Sequence, residues 1–334
     1  MDNRICALRV LACFMVILLH LSAVIYGTVN ERWWSGNFYD SLSRSSVPLF
    51  LMIAGATLLP KKENIKVFFG KRLVRIIPPL VLWSMLYLFW LDYNGVATGN
   101  WVAAMLKGPT MYHLWYFYAL VGIYLFVPVI RKFYNNSSRS EHVWFIGVWF
   151  VVASVIPTLN NLIFNLHCEG YIGFDTFSST YHLSYFSGYL GYLVLGAYIA
   201  DGKYNSIFGT VVFLLASAIT AAGSYILSAH FSQPCEFFFV YLSPFVVAAG
   251  YGLFIAFMGM DRKAPSKVLS VLADCTLGIY GLHVLVIELF RMQGISVGIG
   301  NPWVTIPLVT VGVFVTCFCV IFVLRLVKPF RYVF

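Results

Sequence analysis

Long apolar runs separated by short polar segments repeat along this chain. Windows of about 20 apolar residues mark transmembrane helices, because a helix needs that length to cross the hydrocarbon core. The pattern predicts ten spans, at 5–26, 44–60, 72–91, 113–131, 143–160, 182–200, 206–228, 236–258, 269–290 and 303–325. We therefore expect an all-α membrane protein, a bundle of about ten transmembrane helices that forms a single domain over residues 1–334.

Composition agrees with this fold class. The chain has 334 residues, of which 60% are hydrophobic and 10% are charged, and its mean hydropathy is +0.82. Soluble domains carry about 25% charged residues, so a soluble protein is excluded. The net charge of +9 does not indicate a nucleic-acid partner, because the lysines and arginines follow the short loops between spans.

The basic residues also predict the orientation of the bundle. If both termini are cytoplasmic, all but four of the 22 lysines and arginines fall on the inner side. The four outer residues are Arg32, Arg44, Lys107 and Arg291. Such a bias is the signature of the positive-inside rule. We expect a multi-pass protein of the bacterial cytoplasmic (inner) membrane, in contact with membrane lipid.

The predicted outer segments 27–43, 92–112 and 159–181 are rich in aromatic, hydroxyl and amide side chains. These side chains are typical of the aromatic belt at a membrane interface, and they also suit contact with carbohydrate. Cys168 and Cys235 fall in two outer loops, where a disulfide can form. No metal is expected, because the chain has no CxxC pair and no metal-ligand array.

Arg9 and His20 are the first candidate functional residues, because both lie inside the first apolar span. At ~100° and ~1.5 Å per residue they share one helix face, roughly 16 Å apart along the axis. Each costs about 2.5–3.5 kcal/mol in a membrane span, which favours a function. His20 can take a proton from a hydroxyl, or be satisfied by a neighbouring helix. Arg9 can hold an anionic ligand, or reach lipid phosphate.

Arg72 and Arg75 form a second candidate site, where the third span leaves the cytoplasm. They lie at i and i+3 and so share a helix face. Guanidinium groups bind phosphates through two parallel hydrogen bonds. The alternative is a basic cluster that only sets topology.

The remaining candidates lie towards the outer side. His113 and Trp115, at the mouth of the fourth span, suit either a sugar hydroxyl or an interfacial anchor. In the ninth span, Tyr280 and His283 lie within the apolar run, and His283 is at a depth similar to that of His20. Glu288 follows, and it either orients an imidazole or pairs with Arg291. His182 opens the sixth span on the outer side.

Five motifs in this order resemble acyltransferase family 3, the integral-membrane O-acyltransferases of cell-envelope sugars. They are Arg9-x10-His20, the segments 46–55 and 69–79 (the latter with Arg72-x-x-Arg75), His113–Tyr118 and Leu277–His283. The resemblance covers nearly the whole chain. Within the family, the short form with a His-Leu-Trp segment is similar to enzymes that acetylate enterobacterial common antigen, and to proposed succinyltransferases of secreted polysaccharide adhesins.

The resemblance implies acyl transfer, with acetyl-coenzyme A as co-substrate and no permanently bound cofactor. The acceptor it implies is a hydroxyl of a cell-surface polysaccharide or of its lipid-linked precursor. By this resemblance His20 is catalytic and works with an acid, and the acyl donor is bound by Arg9, Arg72 and Arg75. The resemblance does not assign the acid to a position in this chain, and we choose Glu288. The candidates for binding the acceptor are His113, Trp115, Tyr280 and His283.

Two other functions stay open at this point. Intramembrane histidine and arginine on ten spans also suit a transporter of polysaccharide or lipid-linked sugar. Against it, the sequence has no two-fold repeat and no paired broken helices. The second alternative is an acyltransferase that acts on a small molecule.

Overall fold

The computed structural model describes residues 2–164, 166–170 and 186–328, and these residues contain helices but no strand. Within them, nine helices are long and apolar enough to cross a membrane, and a shorter apolar helix spans Gly188–Ala200. This confirms the predicted all-α bundle of about ten helices. Most of the predicted outer segment 159–181 and the start of the span 182–200, with His182, lie outside the described residues.

The helices follow the apolar runs closely. In chain order they are α1 Asn3–Tyr26, α2 Trp33–Ser43, α3 Ser46–Leu58, α4 Ile65–Tyr93, α5 Trp101–Lys107, α6 Trp115–Asn136, α7 Arg139–Phe150, α8 Ile156–Phe164, α9 Phe186–Ala200, α10 Ser206–Phe231, α11 Pro244–Met258, α12 Lys267–Met292 and α13 Pro302–Leu326. A π-helical turn, Val151–Val155, joins α7 to α8, and a 3-10 turn, Tyr112–Leu114, precedes α6.

Polar side chains at the loop borders fix where the helices begin. Asp2 accepts a hydrogen bond from the amide of Arg4 at the start of α1, and Asn64 caps α4 in the same way. Ser138 and Glu141 form a reciprocal capping box at α7. Each cap satisfies amide groups that have no partner within the helix. The helix starts are therefore set by single residues of the short loops.

The expectation of an outer loop at 27–43 is wrong for its second half. Residues Trp33–Ser43 form the buried helix α2. Asn37 and Asp40 are fully buried there, and the Asn37 amide donates to the carbonyl oxygen of Ala221 at 2.9 Å. Polar residues in this segment pair inside the bundle, a possibility that hydropathy does not detect. Helices α2 and α3 together make the second crossing, over Trp33–Leu58.

Two glycines let α3 and α9 cross with their backbones in contact. A Cβ atom at Gly55 would overlap the carbonyl group of Leu193, and one at Gly196 would overlap that of Met52. Small residues at a crossing allow the close van der Waals packing that holds membrane helices together. This crossing fixes α3, which forms one wall of the cavity described below.

Contacts between loops gather the basic segments at one end of the bundle, here called the basic face. Asp2 pairs with Arg262 at 3.3 Å, and the amide of Asn3 donates to the carbonyl of Lys263. Glu63 and Arg131 join the α3–α4 loop to the end of α6. At the opposite face, Cys168 and Cys235 form a disulfide.

Candidate active site

Three imidazoles from separate parts of the chain meet inside the bundle. His20 comes from α1, His113 from the 3-10 turn before α6, and His283 from α12. The rings of His20 and His283 stack with centroids 5.2 Å apart, and those of His113 and His283 meet edge to face at 4.9 Å. We call these residues the histidine cluster. The exposed Tyr112 packs on His20 at 5.1 Å, so the cluster lies towards the face opposite the basic one.

Hydrogen bonds to carbonyl groups define the tautomers of two of these histidines. Nδ1 of His283 lies 2.6 Å from the carbonyl oxygen of Tyr280, and Nε2 of His113 lies 3.4 Å from that of Gly281. Because a carbonyl oxygen only accepts, both nitrogens carry hydrogen. Nε2 of His283 and Nδ1 of His113 are then proton acceptors, and both are buried without a hydrogen-bond partner among the described residues. The cluster therefore has free basic nitrogens.

A tyrosine hydroxyl supports the helix turn that carries His283. Tyr87 of α4 donates to the carbonyl oxygen of Gly281 at 2.8 Å and accepts from the amide of Leu285 at 3.1 Å. The indole of Trp83 packs directly on Gly281, where any Cβ atom would overlap it. The Tyr87 hydroxyl thus bridges a carbonyl and an amide of the same helix turn, and this fixes the turn in place. Helix α4 therefore holds His283 in position from the side.

A cavity with three arginines lies directly below the cluster, towards the basic face. Its volume is about 150 Å³, and its lining includes Arg9, Arg72, Arg75 and Tyr280. Tyr280 also donates a hydrogen bond to the backbone carbonyl of His113 and packs against the rings of both His113 and His283. Tyr280 therefore borders both the cavity and the histidine cluster. We call this space the arginine cavity.

The arginine cavity carries an excess of positive charge. In the described part of the chain, no carboxylate lies within 4.0 Å of Arg9 or Arg75. The two guanidinium groups are close enough to repel each other. Apolar walls from α3 and α6 strengthen this field, because a low dielectric screens charge weakly. The cavity is suited to an anion with an apolar extension.

A carboxylate surrounded by cations lies beside the cavity at the basic face. Glu63 is 2.6 Å from Nζ of Lys71, 3.8 Å from Nη2 of Arg131 and 4.0 Å from Nη2 of Arg72. The hydrogen bond from Lys71, with the nearby arginines, holds the pKa of Glu63 below its ordinary value. Burial, with the positive charge of Arg72, lowers the pKa of Lys61. This end of the protein therefore has a strong positive field.

Comparison with known families identifies the family of this chain. The sequence model of a family described as "Acyltransferase domain" matches residues 2–325. The chain belongs to acyltransferase family 3. Membership supports an acyltransferase activity and disfavours the transporter alternative. No curated protein and no solved structure matches the chain.

Two of the predicted site residues of this acyltransferase, Glu288 and Trp115, pair with residues outside the histidine cluster. Glu288 accepts from Nε and Nη2 of Arg291 at 3.0 and 2.6 Å, which is the alternative that the sequence left open. No hydrogen bond links Glu288 to an imidazole in the described part of the chain. Trp115 stacks on Tyr241 at 5.6 Å. By contrast, His20, His113, Tyr280 and His283 come together as one site.

The acyltransferase also contains a buried ion pair that the sequence analysis missed. Asp40 of α2 binds Arg44 through both carboxylate oxygens, at 2.6 and 2.9 Å. The guanidinium stacks over the ring of Phe239 at 4.3 Å and contacts Tyr241, on which Trp115 lies. From the sequence, Arg44 was counted among the outer cations, at the start of the span 44–60, whereas its side chain is only 11% exposed and lies within electrostatic reach of His20. The i, i+4 spacing of an acid and a base was the available signal.

Proposed function

We propose that this protein transfers an acetyl group from acetyl-coenzyme A to a hydroxyl of an envelope polysaccharide or of its lipid-linked precursor. The observation that carries the proposal is the junction at Tyr280, where a cationic cavity that faces the basic side meets a cluster of proton-accepting imidazoles. Such a junction suits a donor with phosphates at one end and a thioester at the other.

The donor side of the reaction follows from the arginine cavity. Arg72 and Arg75 lie where phosphates would arrive from the basic face, which we take as cytoplasmic. The cavity of about 150 Å³ is too small for a nucleotide but suits part of a slender acylated chain. Arg9 lies on the same helix as His20, so α1 connects the two ends of the path. The thioester would then stop beside Tyr280.

The chemical step requires a base at the histidine cluster, and we assign that role to His20. A nitrogen of His20 takes the proton of the acceptor hydroxyl while the hydroxyl oxygen attacks the thioester carbon. The tetrahedral intermediate collapses with cleavage of the carbon–sulfur bond. The coenzyme A thiolate leaves and takes up the proton from the imidazolium. Proton and charge therefore balance without a further reactant.

The acceptor side lies at the face with aromatic residues. Tyr112 is exposed beside His20. Trp115, three residues after Tyr112 in the chain, stacks on Tyr241. Flat aromatic surfaces suit sugar rings, and this supports an envelope glycan as the acceptor. We place the protein in the bacterial inner membrane. Of the two acyl groups that the sequence resemblance leaves open, acetyl and succinyl, we propose acetyl.

The test is acetyl transfer by the purified protein in lipid vesicles, with labelled acetyl-coenzyme A and lipid-linked or polymeric envelope glycan. Replacing His20 by Ala should reduce transfer at least about 100-fold, the usual contribution of a general base. His230→Ala is the matched control, because His230 is an exposed histidine at the end of α10. Linkage analysis of the glycan identifies the position modified.

Two results of the vesicle assay would reject the proposal. One is normal transfer by the His20→Ala protein, which would remove the base from the mechanism. The other is a wild-type protein that leaves acetyl-coenzyme A intact with every glycan fraction of the envelope. In cells, acetylated glycan that persists without the gene would lead to the same conclusion.

A further inference from the structure

We propose that Lys71, Arg72 and Arg131 bind the phosphates at the nucleotide end of the acyl donor, and that Glu63 occupies this phosphate position when the donor is absent. The inference rests on the proposed function, because it assigns a further site to the same donor. It adds Lys71, Arg131 and Glu63, to which the sequence analysis assigns no binding role, to the donor path.

The first observation is that the cations around Glu63 have unused hydrogen-bond donors. Nη2 of Arg131 and Nε of Arg72 are buried, and neither has a hydrogen-bond partner among the described residues. Oε2 of Glu63 is also unpartnered, since the distances of 3.8 and 4.0 Å to the arginines exceed a hydrogen bond. A larger anion with more oxygens would reach donors that the carboxylate does not.

The second observation is that the two arginines are held in place before any ligand binds. Nε of Arg131 donates to the carbonyl oxygen of Leu58 at 3.0 Å. The guanidinium groups of Arg131 and Arg72 both stack on the ring of Phe68, at 4.8 and 5.4 Å from its centroid. Phe68 is fully buried. Preorganised arginines lose less entropy on binding a phosphate.

The third observation is that this group of cations is continuous with the arginine cavity. Arg72 lines the cavity and also faces Glu63. Leu58, whose carbonyl holds Arg131, lines the cavity as well. A donor whose arm occupies the cavity would therefore leave its phosphates among Lys71, Arg72 and Arg131. The cavity is too small to take the nucleotide, which would therefore stay outside the cavity at the basic face.

Glu63 has the properties expected of a placeholder anion. It lies in the loop between α3 and α4 rather than within a helix, and a single strong hydrogen bond connects it to Lys71, whose side chain is exposed. Its negative charge offsets the repulsion among the cations in the empty site. An arriving phosphate would take over these contacts and release the carboxylate.

The test compares acetyl-coenzyme A with S-acetylpantetheine, which has the same thioester but no nucleotide. Arg131→Gln and Lys71→Gln should each lower kcat/KM for acetyl-coenzyme A about tenfold relative to that for S-acetylpantetheine, since each removes a charge-assisted hydrogen bond. Lys132→Gln is the matched control, because Lys132 is the neighbouring exposed base on α6. Activity with S-acetylpantetheine also shows that each variant is folded.

Glu63→Gln provides an independent measurement with the opposite sign. If the carboxylate competes with phosphate, its neutralisation should tighten the binding of coenzyme A about fivefold or more in a calorimetric titration. Titration with dephospho-coenzyme A then separates the 3′-phosphate from the diphosphate. A smaller gain for dephospho-coenzyme A assigns Glu63 to the 3′-phosphate, and an equal gain assigns it to the diphosphate.

Several outcomes would overturn the inference. Equal losses with both donors would mean a structural role or a bound lipid headgroup, and the lipid alternative would also make the loss depend on the anionic lipid content of the vesicles. Unchanged or weaker binding of coenzyme A by Glu63→Gln would exclude the placeholder. If the wild-type protein transfers acetyl groups while these ratios do not move, this inference fails and the proposed function stands. If the wild-type protein does not bind coenzyme A, both fail.

Discussion

The buried pair of Asp40 and Arg44 allows a quantitative prediction about stability. The Asp40 side chain is 0% exposed and that of Arg44 is 11% exposed, with two hydrogen bonds between them. Replacing Asp40 by Asn keeps the size of the side chain but leaves a buried guanidinium without its counter-charge. Loss of one partner of a buried pair costs about 3–5 kcal/mol. We therefore expect Asp40→Asn to be strongly destabilising.

The ion pair of Glu288 and Arg291 provides a matched control for this change. Its side chains are 32% and 71% exposed, although its shortest distance is the same 2.6 Å. Exposed pairs contribute about 0–1 kcal/mol. Glu288→Gln removes the same unit of charge as Asp40→Asn, so the two variants differ mainly in burial.

The chain contains its own reporters for the assay. Of the five free cysteines, Cys319 is exposed and gives the baseline signal, and the other four are buried in the folded protein: Cys6, Cys13, Cys275 and Cys317. A thiol-reactive fluorophore therefore follows thermal unfolding in detergent. Asp40→Asn should lower Tm by at least about 5 °C, and Glu288→Gln by less than about 2 °C.

The double variant completes the argument about Asp40. Asp40→Asn combined with Arg44→Gln removes both charges, and a large part of the lost Tm should return, because the penalty comes from one unpaired charge. An Asp40→Asn protein as stable as Glu288→Gln would refute the reasoning. So would a double variant whose losses simply add.

Two further predictions concern the elements that hold the site. Tyr87→Phe removes the hydroxyl that bridges the turn carrying His283, and we expect a loss of about 0.5–1.5 kcal/mol, measured as a small fall in Tm together with slower acetyl transfer. Gly55→Val should cost about 3 kcal/mol or more, because its Cβ would overlap the backbone of Leu193. Size-exclusion chromatography of that variant should show little monodisperse protein, whereas Gly147→Ala, which faces open space, should behave as wild type.

Hydropathy predicted most of this fold because membrane helices must satisfy their backbone internally, so an apolar run of sufficient length leaves few alternatives. Helix α2 was missed for the opposite reason. Its buried face contains Asn37, whose partner Ala221 is brought there by packing, and Asp40, whose partner Arg44 lies four residues further along the chain. The polar side chains of such a segment suggest a solvent-exposed loop, but whether the segment is buried depends on hydrogen-bond partners in the folded protein.

In the candidate site too, some residues were recognisable from the sequence and others are grouped only by packing. Arg9 and His20 are recognisable from sequence because each is costly at its position in the first span. The grouping of His113 and His283 with His20 depends on how α12 packs against α1 and on where the 3-10 turn before α6 lies. Glu288 shows the limit of reasoning from depth, since its partner is a neighbour on its own helix. The pairing of Glu63 with Arg131 was not predicted, because 68 residues of chain separate them; Arg131 was counted only as a basic residue of the inner side.

Tyr280 has one more consequence, which concerns voltage. It lines the arginine cavity on one side and packs against the histidine cluster on the other, so the insulating layer between them is one side chain thick. A membrane potential is steepest across the thinnest insulating layer, and one elementary charge is worth about 2.3 kcal/mol per 100 mV over the full drop. In the proposed mechanism, the proton that passes from His20 to the thiolate would move along this gradient. We therefore expect the rate of the proposed acyl transfer to change with the membrane potential.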